Sequence, residues 1–263
     1  MKIKVGVAQY DVPESVEDSV SKLDEVVKKA SANSVKLLVA PETAIGMLGD
    51  VKTAGTDYLP QLKDICKRNS VTLATSFYHK EDGKFYNQGY IVSDNGDVFH
   101  SYRKIYLAPP EKEQDGISSG KKFIVSRTSL GKLGMMICKD GFNKYSHYLY
   151  QQLFDQEADI TCIPTWSLGW KEMDIQEYIR SIYVYGAFIS RSFFLVAGNL
   201  NKSTSSFGKS LIISPVRGIL KEGSSDREEI LIEEIDTNDV KRAREFDSWW
   251  QPKKQCFFST NHQ

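Results

Sequence analysis

Apolar and polar positions alternate in two rhythms along the chain. Residues 2–9, KIKVGVAQ, read as a strand. Val16, Val20, Leu23 and Val27 then recur at helical spacing, with Glu17, Asp18, Lys22 and Lys28 facing out. Ser15 with Asp18 three residues on is an N-cap arrangement that starts this helix. Residues 35–40 form a short, mostly apolar run, as in a strand buried on both faces, and it stops at Pro41-Glu42-Thr43. The pattern predicts a second helix over 58–68 and a strand over 71–78. Runs 89–93 and 98–102 flank Asp94-Asn95-Gly96-Asp97, and Asn-Gly in that setting predicts a hairpin whose second strand enters Arg103-Lys104.

Beyond Lys104 the rhythm changes. Residues 105–120, rich in Pro, Glu, Ser and Gly, read as a loop. Strands are expected over 123–126 and 133–138, a helix over 146–157, and a short buried strand over 160–163 closed by Pro164. A long helix over 171–190 precedes strands over 193–197, 211–214 and 230–235, and a charged helix covers 238–245. With no repeat, low-complexity tract or linker, the chain reads as one α/β domain over 1–263, its helices covering sheets and its sites at strand ends.

The 263 residues suffice for a sizeable core, and 41% hydrophobic with 26% charged content is that of ordinary globular proteins. Thirty-four basic side chains balance 34 acidic ones, so no positive excess points to nucleic acid or an anionic membrane. The N-terminus lacks the pattern of a signal peptide, and no uncharged apolar run approaches the ~20 residues of a membrane span. These features predict a cytoplasmic protein. Cys66, Cys138, Cys162 and Cys256 form no Cys-x-x-Cys pair and have no His at ligand spacing, which predicts reduced thiols and neither a zinc site nor a disulfide framework.

Three polar residues change the picture. Glu42 follows Leu37-Leu38-Val39-Ala40, Lys104 follows the strand ending near Tyr102, and Cys138 follows Met135-Met136-Ile137. Each has a plain explanation alone: Glu42 as a cap, Lys104 as a solvated neighbour of Arg103, Cys138 as a small core hydrophobe. Together they suit acyl transfer. A thiolate attacks an acyl carbon, a carboxylate takes the thiol proton and returns it to the leaving amine, and an ammonium stabilises the oxyanion.

Dispersed blocks around these residues resemble the nitrilase (carbon–nitrogen hydrolase) superfamily along nearly the whole chain. They are KVGVAQYDV, LLVAPETA around Glu42, GDVFHSYRKIYL around Lys104, GKLGMMICKDGF around Cys138 and ADITCIPTWSLGW, then RSFFLVAGN, FGKSLIISPVRGIL and EEILIEEID. The resemblance implies a four-layer α-β-β-α sandwich, with Glu42 as general base, Lys104 as oxyanion stabiliser and Cys138 as nucleophile. It implies a second, positioning glutamate in the loop after the lysine. Measured back from Gly120, Glu113 is the better match and Glu111 its rival. It further implies a substrate-binding role for the backbone N–H of Lys139, no metal or other cofactor, a small-molecule amide substrate, and a homodimer or higher homo-oligomer formed through helices near the nucleophile. The chain departs from the family pattern at Tyr106 (often His), at Lys139 (often aromatic) and at Phe142-Asn143-Lys144-Tyr145 (often Arg-Phe-Pro-Glu).

Competing motifs are weaker. Gly116-Ile117-Ser118-Ser119-Gly120 matches Gly-x-Ser-x-Gly, but a strand rather than a helix is expected after it. His147 is expected to be an ordinary surface side chain, and Asp140 to anchor the turn after the nucleophile. Cys66 and Cys162 read as core. Cys256 and Trp249-Trp250 read as a packed tail or subunit contact. Trp166 and Trp170 either line a substrate pocket or cap the core. The chemistry expected is therefore hydrolysis of a small linear amide. Nitrile or N-carbamoyl amide hydrolysis, acyl transfer to an amine, an inactive scaffold protein and a redox-sensing thiol are the alternatives.

Overall fold

The computed structural model describes residues 1–46, 57–113, 116–167, 175–200, 206 and 208–249. Twelve strands and six helices are found among them. The first half contains β1 (Lys2–Gln9), α1 (Val16–Ala32), β2 (Leu37–Val39), α2 (Leu59–Asn69), β3 (Thr72–Glu81), β4 (Lys84–Val92), β5 (Val98–Arg103) and α3 (Pro109–Glu113). The second contains β6 (Ser126–Thr128), β7 (Gly131–Met135), α4 (Ser146–Asp155), β8 (Ile160–Pro164), α5 (Ile175–Ser190), β9 (Phe193–Ala197), β10 (Leu211–Ser214), β11 (Gly218–Glu222), β12 (Glu229–Asp236) and α6 (Asn238–Trp249).

The strands form two six-stranded sheets, ordered β12-β1-β2-β3-β4-β5 and β11-β10-β9-β8-β7-β6. Each has three adjacent parallel strands, β1-β2-β3 in one and β7-β8-β9 in the other, flanked by antiparallel partners. Parallel strands need crossover connections; the helical segments supply them and so come to cover the outer faces.

Side-chain alternation decides which residues meet between the sheets. Val5, Val7, Leu37, Val39 and Ile91 of the first sheet pack against Leu133, Met135, Ile160, Cys162, Phe193 and Leu195 of the second. The opposite faces bury Leu23, Val27, Leu62 and Ile65 of α1 and α2 against Ala8, Leu38 and Leu73. On the far side, Leu149, Leu153, Ile179 and Ala187 of α4 and α5 pack on Ile163, Phe194 and Ile213. The result is an α-β-β-α sandwich, as expected from the family resemblance. Gly89 lets the sheets approach closely, since a Cβ there would clash with the Met135 sulfur unless that side chain shifted.

Several elements differ from the pattern's prediction. β3 and β4 are longer than expected and join through Asp82-Gly83, both in the left-handed conformation that a tight hairpin requires. The 105–120 loop contains the single helical turn of α3. The strand expected over 123–126 lies instead at β6, and β11, a half-exposed edge strand, was not expected. Trp170, Cys256, Trp250 and the side chain of Trp249 lie outside the described residues. No helix among the described residues is long and apolar enough to cross a membrane.

Candidate active site

The site is assembled at strand ends, where side chains leave the apolar layer between the sheets. Lys104 follows β5 and keeps the inward parity of Tyr102, so the strand carries its ammonium inward; the side chain is 1% exposed. Its backbone is pinned on both sides: its N–H donates to Asn87 O at 3.0 Å, and its carbonyl accepts from Gly120 N at 2.8 Å. Glu42 follows β2, fully buried. Its loop is tied to β3 by Thr43 N–H donating to Ser76 Oγ at 3.0 Å and by Thr75 Oγ1 donating to Pro41 O at 2.8 Å.

Cys138 opens a short 3₁₀ turn, Cys138–Gly141, immediately after the extended Ile137. Its φ is +47°, in the left-handed region that L-residues avoid. Thr43 and Ser167, next to Glu42 and Trp166, share that conformation at φ +47° and +57°. Such backbone costs on the order of 1–3 kcal/mol per residue and persists where surrounding contacts impose it. Here those contacts are visible. Asp140, buried, accepts from Ile137 N (3.0 Å) and Tyr102 Oη (2.8 Å) through one oxygen, and from Ile105 N (3.1 Å) and Tyr106 N (2.7 Å) through the other. One carboxylate thus ties the cysteine turn to the segment that follows Lys104, as the anchoring role expected of it requires. Burial pushes its pKa up to about 6 despite those donors. Tyr183 Oη donates to Cys138 O at 3.2 Å and holds the carbonyl from α5.

Lys104, Glu42, Glu111 and Asn87 close a ring of short contacts. Lys104 Nζ lies 2.7 Å from Glu42 Oε1 and 2.7 Å from Glu111 Oε2. Asn87 Nδ2 donates to Glu42 Oε1 at 2.8 Å and to Glu111 Oε1 at 2.9 Å. Glu111 Oε2 also accepts from Ala108 N at 2.7 Å, and Glu42 Oε2 from Trp166 N at 3.1 Å. The Cys138 thiol lies close enough to Glu42, Lys104 and the Trp166 N–H for each to act on its proton affinity.

Burial dominates the electrostatics. It raises the Glu42 carboxyl above its usual range; Lys104 opposes the rise and Glu111 adds to it. Burial, then the Glu42 charge, raises the Cys138 thiol, with Lys104 pulling the other way. For Lys104 burial disfavours the charge, but Glu111 and Glu42 outweigh it and hold the ammonium well above its usual pKa.

The structure brings together Glu42, Lys104, Cys138 and the Trp166 backbone. It corrects the choice of second glutamate: Glu111 is buried against Lys104, whereas Glu113, at the end of α3, is exposed. Trp166 is 1% exposed and packs its ring in the core on the α1–α2 side, so its contribution at the site is its N–H. Lys139 is half-buried, in the first turn after the cysteine. His147 is exposed and lies tilted against the Tyr148 ring. Ser118 sits in a loop bonded to Phe85 O, with no helix after it. Cys66 and Cys162 are core residues. Asn87 and Tyr183 were missed; the signal for Asn87 was a polar residue at an inward-facing position of a buried strand. Among the described residues no group of three His, Cys, Asp or Glu side chains is arranged to hold a metal ion.

Comparison with known proteins gives a consistent result. The sequence model of the family described as Carbon-nitrogen hydrolase matches residues 4–245. The deaminated glutathione amidase of Dictyostelium discoideum is 26% identical over 92% of this chain and 90% of its own. A carbon-nitrogen hydrolase from Helicobacter pylori G27 superposes with a TM-score of 0.82 at 19% identity, covering 98% of this chain and 97% of that one. An amidase from Nesterenkonia sp. AN1, solved as a Glu-to-Gln variant with the acetamide moiety of fluoroacetamide covalently added at its active-site cysteine, superposes with a TM-score of 0.77. Its identity is 17%, with 95% and 97% of the two chains covered.

Proposed function

The chain belongs to the carbon–nitrogen hydrolase family, and from that premise we propose that it hydrolyses a small linear amide through a thioester on Cys138. The observation that carries the reading is the buried contact of Lys104 with Glu42, beside a thiol whose backbone is held in a left-handed turn.

The geometry supports the following steps. Burial keeps the resting Cys138 protonated, so a base must act as it attacks. Glu42 Oε1 is occupied by Lys104 and Asn87, whereas Oε2 accepts only the Trp166 N–H and keeps a lone pair to take the proton; the raised carboxyl makes a stronger base than an exposed glutamate. Sulfur bonds to the acyl carbon, and the carbonyl electron pair moves onto oxygen. An ammonium has three N–H donors, and two of Lys104's face Glu42 and Glu111, leaving one for that oxyanion. The Lys139 N–H, at the start of a 3₁₀ turn whose first internal bond is Asp140 N to Ile137 O, is the second donor. Collapse breaks the C–N bond, and the amine leaves with the proton from Glu42. Glu42 then deprotonates a water that attacks the thioester carbon; the C–S bond breaks, the acid product is released, and the thiolate takes the proton back from Glu42.

The half-buried Lys139, where the family often has an aromatic residue, favours a substrate with an acidic group. Deaminated glutathione, named for the relative from Dictyostelium discoideum, heads the substrates to test. The same reading makes the protein a homodimer joined through α4 and α5, which expose Tyr148, Tyr178, Tyr185 and Phe188. The test is turnover of an amide panel followed by intact mass. Acid release, with an acyl adduct on Cys138 that Cys138→Ala abolishes, is expected. No release from any amide, nitrile or N-carbamoyl amide, with no adduct, sinks the enzyme reading in favour of a scaffold protein.

A further inference from the structure

Two carboxylates and one ammonium leave the buried ring with an excess negative charge. Glu42 and Glu111 both lie against Lys104, and all three side chains are about 1% exposed or less. Water is not available to solvate the surplus, so neutral donors must. Asn87 is the side chain so placed. Both oxygens it meets belong to carboxylates, which only accept, so the group facing them is its N–H₂ rather than its carbonyl. One nitrogen thus gives one hydrogen to each glutamate.

The cost of this arrangement is visible in the same side chain. Asn87 Oδ1 is buried without a hydrogen-bond partner among the described residues. A residue serving only the fold gains nothing by that, since an unpaired buried carbonyl destabilises. An apolar side chain, like that of Ile91 on the same face of β4, would leave nothing unpaired there.

We infer that Asn87 is a positioning residue for Glu42: its bridging N–H₂ holds the base and Glu111 at fixed places around Lys104 and keeps Glu42 in its ionised, proton-accepting form. This rests on the proposed thioester chemistry and deepens it. The groups facing Glu42 are Lys104 after β5, Glu111 on α3, Cys138 in its turn and, farther off, Tyr183 on α5, while the Lys104 charge also acts on Asp140. All of these groups are still present when Asn87 alone is replaced. Without the two donors, the mutual repulsion of the glutamates is less compensated, and Glu42 takes up a proton at higher pH.

The experiment compares wild type, Asn87→Leu (similar volume, no donor), Asn87→Ser (one donor kept) and Asn87→Asp (similar shape, an added carboxylate). The rate of iodoacetamide labelling at Cys138 is read against pH by peptide mass, with thermal unfolding as the check on folding. Labelling needs Glu42 to take the thiol proton, so the rate falls where Glu42 protonates. The fall is expected to move up by about one pH unit in Asn87→Leu, less in Asn87→Ser and more in Asn87→Asp. Turnover of an amide is expected to fall about a hundredfold in Asn87→Leu, mostly in kcat. A folded Leu or Ser variant with the wild-type labelling profile overturns the inference. If Asn87→Leu does not fold, the smaller Asn87→Ser decides it alone. Labelling needs no amide turnover, so this result stands apart from the proposed reaction: a wild type that labels but hydrolyses no amide overturns the function, while an unmoved profile overturns only the role of Asn87.

Discussion

Cys138 and Cys162 invite comparison because they begin alike. Cys162 lies in β8, paired in register with Met135 of β7, and Cys138 follows β7 three residues later. Both thiols are buried in the layer between the sheets, and burial raises both above the usual thiol range. The difference lies in their company. Burial is the only influence on Cys162, whereas Cys138 has a carboxylate, an ammonium and the Trp166 N–H around it. The backbone differs too: Cys162 continues a regular strand, and Cys138 is turned out of one at positive φ. Burial therefore does not separate the proposed nucleophile from a packing thiol; the polar groups near the sulfur do.

The sharpest way to break this comparison is to truncate both. Cys138→Ala is expected to abolish amide turnover and acyl adduct formation, with little change in fold. Cys162→Ala is expected to keep turnover within a fewfold and to lose about 1 kcal/mol of stability from the cavity left in the core. Activity assays with chemical denaturation check both. Equal loss of activity in the two variants, at equal stability, contradicts the assignment of Cys138.

The next largest effects fall on the groups that distinguish Cys138. Glu42→Gln keeps the shape but removes the proposed base, and kcat is expected to drop on the order of a thousandfold or more. Lys104→Ala is expected to drop it similarly and also to lower the melting temperature, because it leaves two buried carboxylates without their counter-ion. Glu42→Gln with near-normal kcat contradicts the triad.

The pH dependence should show the same environment. In the proposed mechanism Glu42 must be ionised to accept the thiol proton, and burial raises its carboxyl above the usual range. The rate therefore falls as pH drops through a value higher than that of a free glutamate. A profile of kcat/KM, and the labelling profile of Cys138, should place the acidic limb above about pH 4.5. Cys162, without a base beside it, is expected to resist iodoacetamide throughout the native range. A limb in the ordinary carboxylate range removes the raised proton affinity from the mechanism.

Much of this was legible in the sequence, for physical reasons that also explain the gaps. Glu42, Lys104 and Cys138 stood out because each follows a strand end, Glu42 and Cys138 directly after apolar runs where burial and polarity conflict. Strands such as β1 and β8 are near-continuous apolar or alternating runs and were read almost to the residue. β11 was not, because a half-exposed edge strand has neither signature. The Asp82-Gly83 hairpin was missed although the dipeptide favours it, because the flanking runs carry His79, Lys80, Lys84 and Asn87 instead of a clean apolar pattern. Asn87 escaped notice because its polarity is answered only by Glu42 and Glu111, from two distant segments that no local window contains.

Glu111 and Glu113 show the limit of counting along a loop. Distance from Gly120 favours Glu113 only if the intervening chain is irregular. The single turn of α3 changes that, since two residues along a helix swing a side chain by about 200°. Glu111 therefore points at Lys104, and Glu113 points away into solvent. The pair repeats the lesson of the two cysteines with a smaller expected effect. Glu111→Gln loses one of the two charges orienting the Lys104 ammonium, and kcat is expected to fall roughly tenfold to a hundredfold with KM little changed. Glu113→Gln, at an exposed position, is expected to match wild type within about twofold. Side-by-side kcat measurements at saturating substrate decide it. A loss in Glu113→Gln with Glu111→Gln unaffected means that the lysine is oriented from a different side of α3 than the one facing it here.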